Sequence, residues 1–151
     1  GYRPPVHWDW LARIREAVNI PVVANGEVWT LADAQACLAE SGCTDLMLGR
    51  GLVAQPDLAR QIACHARGEA YVSLDWAGLQ AVVHGFFVQA QGMGNPHYPV
   101  ARLKQWLGLV RLAYPPTAAL FAALRAETAA EAVGARLADA AWWQGLAEEC
   151  A

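Results

Sequence analysis

The chain has 151 residues, 56% of them hydrophobic and 17% charged, with a formal net charge of −3. That length suits one ordinary domain or two small ones with a sizeable core, and the composition excludes a disordered tail. No apolar run is long or clean enough to span a bilayer, no signal peptide is read, and four cysteines without CxxC spacing (Cys37, Cys43, Cys64, Cys150) argue against a metal site and for reduced thiols in the cytoplasm.

Helical and strand-like signals alternate up to about residue 67. Residues 8–17 have helical spacing, with Trp8, Leu11, Ile14 and Val18 on one apolar stripe. Residues 20–24 form a short β-branched run that ends at Asn25-Gly26 and predict a buried strand. Thr30 is placed to cap a helix through about residue 39, which Ser41-Gly42 stops. Residues 45–48 predict a second buried strand, broken at Gly49-Arg50-Gly51, and Pro56-Asp57 begins a helix to about residue 67. Short strands without alternation are expected where helices cover both faces of a parallel sheet. Two such strands do not make a stable sheet alone. The segment therefore either pairs with another copy or belongs to the end of a larger barrel.

From about residue 68 the strand signal vanishes. Residues 74–91, 99–113, 117–125 and 129–143 read as helices, and alanine-rich sequence after Thr117 favours them. Charge is unevenly spread here. After Asp75 no acidic residue occurs until Glu127, while Arg102, Lys104 (the chain's only lysine), Arg111 and Arg125 lie between, with His84 and His97 nearby. Such a stretch is either a solvated helix face or a surface that binds phosphate through its local field. His7, His65, His84 and His97 have no metal-ligand spacing and read as surface residues or as supports behind a site's direct contacts.

Two loops directly follow the two strand-like runs: Asn25-Gly26-Glu27 and Gly49-Arg50-Gly51. At the carboxyl ends of parallel barrel strands such loops commonly build a phosphate site. Glycines let backbone N–H groups approach phosphate oxygens, and the Arg50 guanidinium is a forked donor. Asn25 has an amide to donate, while Glu27 would bind a sugar hydroxyl or orient Arg50. Each loop alone is also ordinary turn chemistry. Their recurrence one βα unit apart is harder to explain as turns.

The runs IPVVANGEVW (20–29), DAQACL (33–38), SGCTD (41–45) and MLGRGL (47–52) resemble the tRNA-dihydrouridine synthases. VARLKQWL (100–107) resembles the helical-domain signature of the C-type bacterial enzymes of that family, which act on uridine 16. The segment at Gly1, Tyr2 and Arg3 is similar to the one just after the family's sixth-strand histidine motif.

The resemblance implies an α/β plus all-α fold: the last two βα units of a TIM barrel over residues 1–67, followed by a helical tRNA-recognition bundle over 68–151. It implies that Asn25, Gly26, Glu27, Gly49 and Arg50 bind the phosphate and ribityl end of FMN, and that Tyr2, Arg102 and Lys104 touch tRNA. The family's reaction reduces the C5–C6 bond of uridine in the tRNA D-loop, with NADPH reducing FMN and a cysteine protonating C5. That cysteine, with its lysine and histidine partners, belongs to earlier strand loops, and none of the four cysteines here matches it. No catalytic residue is therefore assigned within residues 1–151, and the chain is expected to be an inactive C-terminal portion, prone to self-association although whole family members are monomers. Trp106, four residues from Arg102, is expected to pack in the bundle rather than stack on a base. Two other readings remain: a non-catalytic fragment binding tRNA or FMN phosphate, and another FMN barrel reductase.

Overall fold

A computed structural model of the protein describes residues 5–95 and 97–148. The chain divides into two compact units, Gly1–Val72 and Ser73–Ala151. No helix among the described residues is long and apolar enough to cross a membrane. The structure is mostly helical, with one small parallel sheet.

In the first unit the order is α1 (Trp8–Ala17), β1 (Val23–Asn25), α2 (Leu31–Ser41), β2 (Asp45–Met47), α3 (Arg50–Ala54) and α4 (Leu58–Ala66). Helix α2 starts where its sequence dictates. Thr30 and Asp33 form a reciprocal capping box, the Asp33 N–H donating to Thr30 Oγ1 and the Thr30 N–H to Asp33 Oδ2. It ends at Gly42, whose N–H closes on the Leu38 carbonyl. The strands β1 and β2 pair in parallel, with Val23 opposite Asp45, Ala24 opposite Leu46 and Asn25 opposite Met47.

Side chains alternate across a strand, so this register sorts the sheet into two unlike faces. Ala24 is fully buried and Leu46 packs beside it in a cluster with Trp8, Val28, Ala34, Cys37 and Cys43. The other face carries Val23, Asn25, Asp45 and Met47, and all four are exposed. Val23 is 51% exposed and Met47 57%. The expectation of strands buried on both sides is corrected accordingly: among the described residues nothing covers the second face. The α1 stripe divides in the same way, Trp8 being buried while Ile14 and Val18 are exposed.

Two further differences concern helices. The turn of helix α3 follows Gly49 directly, where the sequence predicts only a loop; five residues, one of them Gly51, are too few to show a periodicity. The helix expected over 129–143 is two helices, described below with the second unit.

The second unit contains α5 (Trp76–Gln91), α6 (Tyr98–Val110), α7 (Thr117–Leu124), α8 (Ala130–Ala138) and α9 (Ala140–Glu148). The Asp75 carboxylate caps α5 by accepting the Gly78 N–H at 2.7 Å. Leu79, Val83, Phe87, Leu103, Leu107, Leu120, Leu124 and Val133 are completely buried in one apolar core, against which Trp143 packs its ring edge-on to Trp76. The break between α8 and α9 falls at Asp139. Its carboxylate accepts the Ala141 and Trp142 N–H groups, so the side chain replaces the helical partners that those donors would otherwise use. Trp143 then ties the two helices together through an Nε1–H bond to the Leu137 carbonyl.

Candidate functional site

Asn25, Gly26, Glu27, Gly49 and Arg50 line one cleft of about 640 Å³, together with Val6, Val28, Trp29 and Gly51. The parallel pairing of β1 and β2 brings the loops together, because Asn25 and Met47 are cross-strand neighbours and each loop leaves its strand at the same end. At Gly26 the backbone has φ +126°, a region L side chains rarely adopt, and its carbonyl accepts the Trp8 indole N–H at 2.9 Å. Gly51 answers a different demand. A Cβ there would lie 1.9 Å from the Val28 carbonyl oxygen, so only glycine lets α3 approach the other loop this closely. Gly49 has open space where its Cβ would stand.

Glu27 is the centre of the cleft's polar network. It is the one described non-glycine residue with positive φ, at +49°, and such conformations cost of order 1 kcal/mol or more unless surrounding contacts hold them. One carboxylate oxygen, Oε1, accepts Arg50 Nη2–H at 2.5 Å, and the other, Oε2, accepts the Trp29 indole N–H at 2.8 Å. Arg50 Cζ lies 5.4 Å from the centre of the Trp29 ring. The Arg50 side chain nevertheless remains 62% exposed, so donors of its guanidinium beyond the one held by Glu27 stay accessible from the cleft.

The residues expected at tRNA lie differently. Arg102 is exposed on α6, donates to Gln105 Oε1 at 2.8 Å and sits 5.1 Å above the Tyr98 ring. Lys104, on the same helix, is half-buried. Its ammonium donates to the carbonyls of Arg125 (2.9 Å) and Glu127 (2.5 Å), just past the end of α7. Tyr2 lies outside the described residues. Trp106 packs on Phe86, ring centres 4.7 Å apart, which is the core placement expected of it.

Cys37 and Cys43 are buried and Cys64 is partly so, while Cys150 lies outside the described residues. Burial, then the neighbouring Cys43 and Glu40, push the Cys37 thiol above its ordinary pKa, which opposes a nucleophilic role. Among the described residues no group of three or more His, Cys, Asp or Glu could hold a metal ion. His65 meets Gln35 at 2.8 Å, and His7, His84 and His97 are exposed.

Sequence reasoning missed Trp8 and Trp29 as builders of this cleft, and it marked Gly51 only as part of the Gly49-Arg50-Gly51 loop, without the close approach to Val28 that requires it. Trp29 stands two residues after Glu27 in the ANGEVW run, and that proximity was the available signal.

A Gly-rich, arginine-bearing cleft at the ends of paired parallel strands is the kind of site that binds anionic ligands. The dihydrouridine synthase family matches residues 1–89, and the chain belongs to it. It is 49% identical over 138 residues to a tRNA-dihydrouridine(16) synthase of Aquipseudomonas alcaligenes, covering 91% of this chain and 44% of that protein. Enzymes of the same name from Pseudomonas putida and Neisseria meningitidis serogroup A are 46% and 44% identical, over 84% and 83% of this chain and 39% and 38% of their own lengths. The chain thus spans about two fifths of the curated relatives it matches.

Proposed function

We propose that this chain is the C-terminal portion of a flavin-dependent tRNA-dihydrouridine synthase, an oxidoreductase that reduces the C5–C6 bond of uridine in the tRNA D-loop with NADPH through FMN. Residues 1–67 form the last two βα units of a TIM barrel and residues 68–151 the helical tRNA-recognition domain. Family membership supports the reaction class. The bare sheet face at Val23 and Met47 supports the barrel, because in a closed barrel that face is covered by side chains from other strands.

The observation that carries the reading is the convergence of Arg50 and the two glycine-rich loops on one cleft. The fit to the phosphate and ribityl end of FMN is chemical. An exposed guanidinium offers paired donors to phosphate, and the open space beside Gly49 admits a ligand against the backbone. Asn25, exposed at the cleft, offers an amide to a ribityl hydroxyl. FMN, when bound, supplies hydride transfer between NADPH and the uracil ring. The residues of this chain bind and orient, and no proton transfer is assigned to any of them. Arg102, Lys104 and Tyr2 contact the tRNA backbone, a role that gives affinity and register rather than sequence reading. Lys104 has two acceptors within the protein and brings one remaining N–H to that contact.

The test is Arg50→Ala, titrated with FMN by flavin fluorescence. Loss of a charge-assisted phosphate contact is expected to weaken FMN about tenfold or more while leaving the circular dichroism spectrum and RNA binding unchanged. Unaltered FMN affinity would overturn the assignment of the cleft.

A further inference from the structure

We infer that Trp29 and Glu27 are positioning residues for Arg50: the Trp29 indole fixes the Glu27 carboxylate, and that carboxylate presets the guanidinium toward the anionic end of the ligand. The inference rests on the proposed FMN reading of the cleft; of the two roles the sequence leaves to Glu27, binding a sugar hydroxyl or orienting Arg50, it selects the second and adds Trp29 as the group that holds the carboxylate in place.

The geometry points this way because both carboxylate oxygens of Glu27 already have protein partners, Arg50 on Oε1 and Trp29 on Oε2. The brace is anchored behind as well. The Trp29 backbone N–H donates to Asp33 Oδ2 at 3.0 Å, the same oxygen that closes the α2 capping box on Thr30. A chain of bonds therefore runs from the first turn of α2 through Trp29 and Glu27 to Arg50. The left-handed backbone at Glu27 turns its side chain into this arrangement. Arginine loses much rotamer freedom when it binds a ligand, and a guanidinium held beforehand between a carboxylate and an indole face has lost part of it already. Only the phosphate, as the group Arg50 reaches, benefits from that preorganisation.

Trp29→Phe is the informative variant, because it removes the indole N–H, keeps an aromatic ring and changes no charge. Glu27→Gln also alters the local field, and so serves as the second variant. FMN and riboflavin, which lacks the phosphate, are titrated against each. The expected result is FMN weakened about two- to tenfold by Trp29→Phe with riboflavin unchanged. In the double variant with Arg50→Ala the Trp29 effect on FMN should vanish, since the brace has nothing left to hold. Equal weakening of FMN and riboflavin by either variant, or a Trp29 effect that persists without Arg50, would overturn the inference while leaving the cleft's assignment standing. If the unaltered protein binds FMN and riboflavin equally, the phosphate is not held here, and the assignment of the cleft and the brace fall together.

Discussion

Arg50 and Lys104 are both cations that the family resemblance assigns to phosphate-bearing ligands, yet the two units use them in opposite ways. In the first unit the guanidinium is braced on one side and open on the other, with its charge presented to a cleft. In the second unit the ammonium is turned inward, onto carbonyls beyond the end of α7. Arg136 joins it there, donating to the Ala123 carbonyl at 3.1 Å, and Arg111 bonds the Gly108 carbonyl of its own helix. Carbonyls at a helix end carry partial negative charge, so they too draw cations, which then need no phosphate as a partner. An acid-free stretch of sequence thus measures how much positive charge is present, and only the packing decides how much of it faces outward.

The largest effect should come from Gly51→Ala, which attacks the first side of this contrast. The added methyl would collide with the Val28 carbonyl and the Trp29 Cα, both backbone atoms that cannot swing aside. We expect a loss of about 3 kcal/mol in urea unfolding, with FMN binding lost at urea concentrations where the fold survives. Near-normal stability together with normal FMN affinity would mean that the close approach of the two loops is not what builds the cleft.

Lys104→Met is smaller and decides the second side. Methionine keeps most of the aliphatic stem and removes the ammonium, so the Arg125 and Glu127 carbonyls lose a charged donor. The expected cost is roughly 1 kcal/mol of stability, discounted for the partial exposure of the pair. Titration of tRNA across a salt series gives the other half of the answer. If Lys104 also reaches a phosphate, the salt slope drops by about one contact; a lower slope with no loss of stability would place Lys104 with the outward-facing cations and erase the contrast with Arg50.

What the sequence made legible follows the range of the interactions involved. The limits of α2 could be read directly, since Thr30, Asp33 and Gly42 act within one turn of the residues they cap. The two loops were readable for a similar reason, because glycine beside Asn25 or Arg50 reports a backbone demand and a donor in a few adjacent positions. Lys104 was opaque: its acceptors are backbone carbonyls 21 and 23 residues away, which no side-chain pattern encodes. Trp8 bonds a carbonyl 18 residues ahead and was equally hidden. The break at Asp139 interrupts an alanine-rich run whose propensity alone favours one continuous helix. Apolar spacing located both strands and the α1 stripe, but spacing shows only which side chains share a face. Whether a neighbour covers Val23, Met47 or Ile14 is a property of the assembled chain.

The smallest expected effect is at Glu127, beside the Lys104 acceptors. Its Oε1 accepts the Ala129 and Thr128 N–H groups at 3.0 and 2.9 Å, just ahead of α8. Those bonds, Ala129 first and then Thr128, hold the carboxyl below its ordinary pKa, with smaller help from Arg136 and Lys104. A carboxylate whose pKa falls on folding stabilises the native state above the ordinary carboxylate range, and that contribution disappears as pH drops through the lowered value. In Glu127→Gln the amide oxygen still accepts a backbone N–H, but the charge is gone. Its melting temperature should therefore lie slightly below that of the unaltered protein at pH 7, and the gap should close as pH falls through the lowered carboxyl pKa. A gap that stays constant with pH would show that the carboxylate's charge contributes nothing there. The inward use of charge in the second unit would then rest on its cations alone.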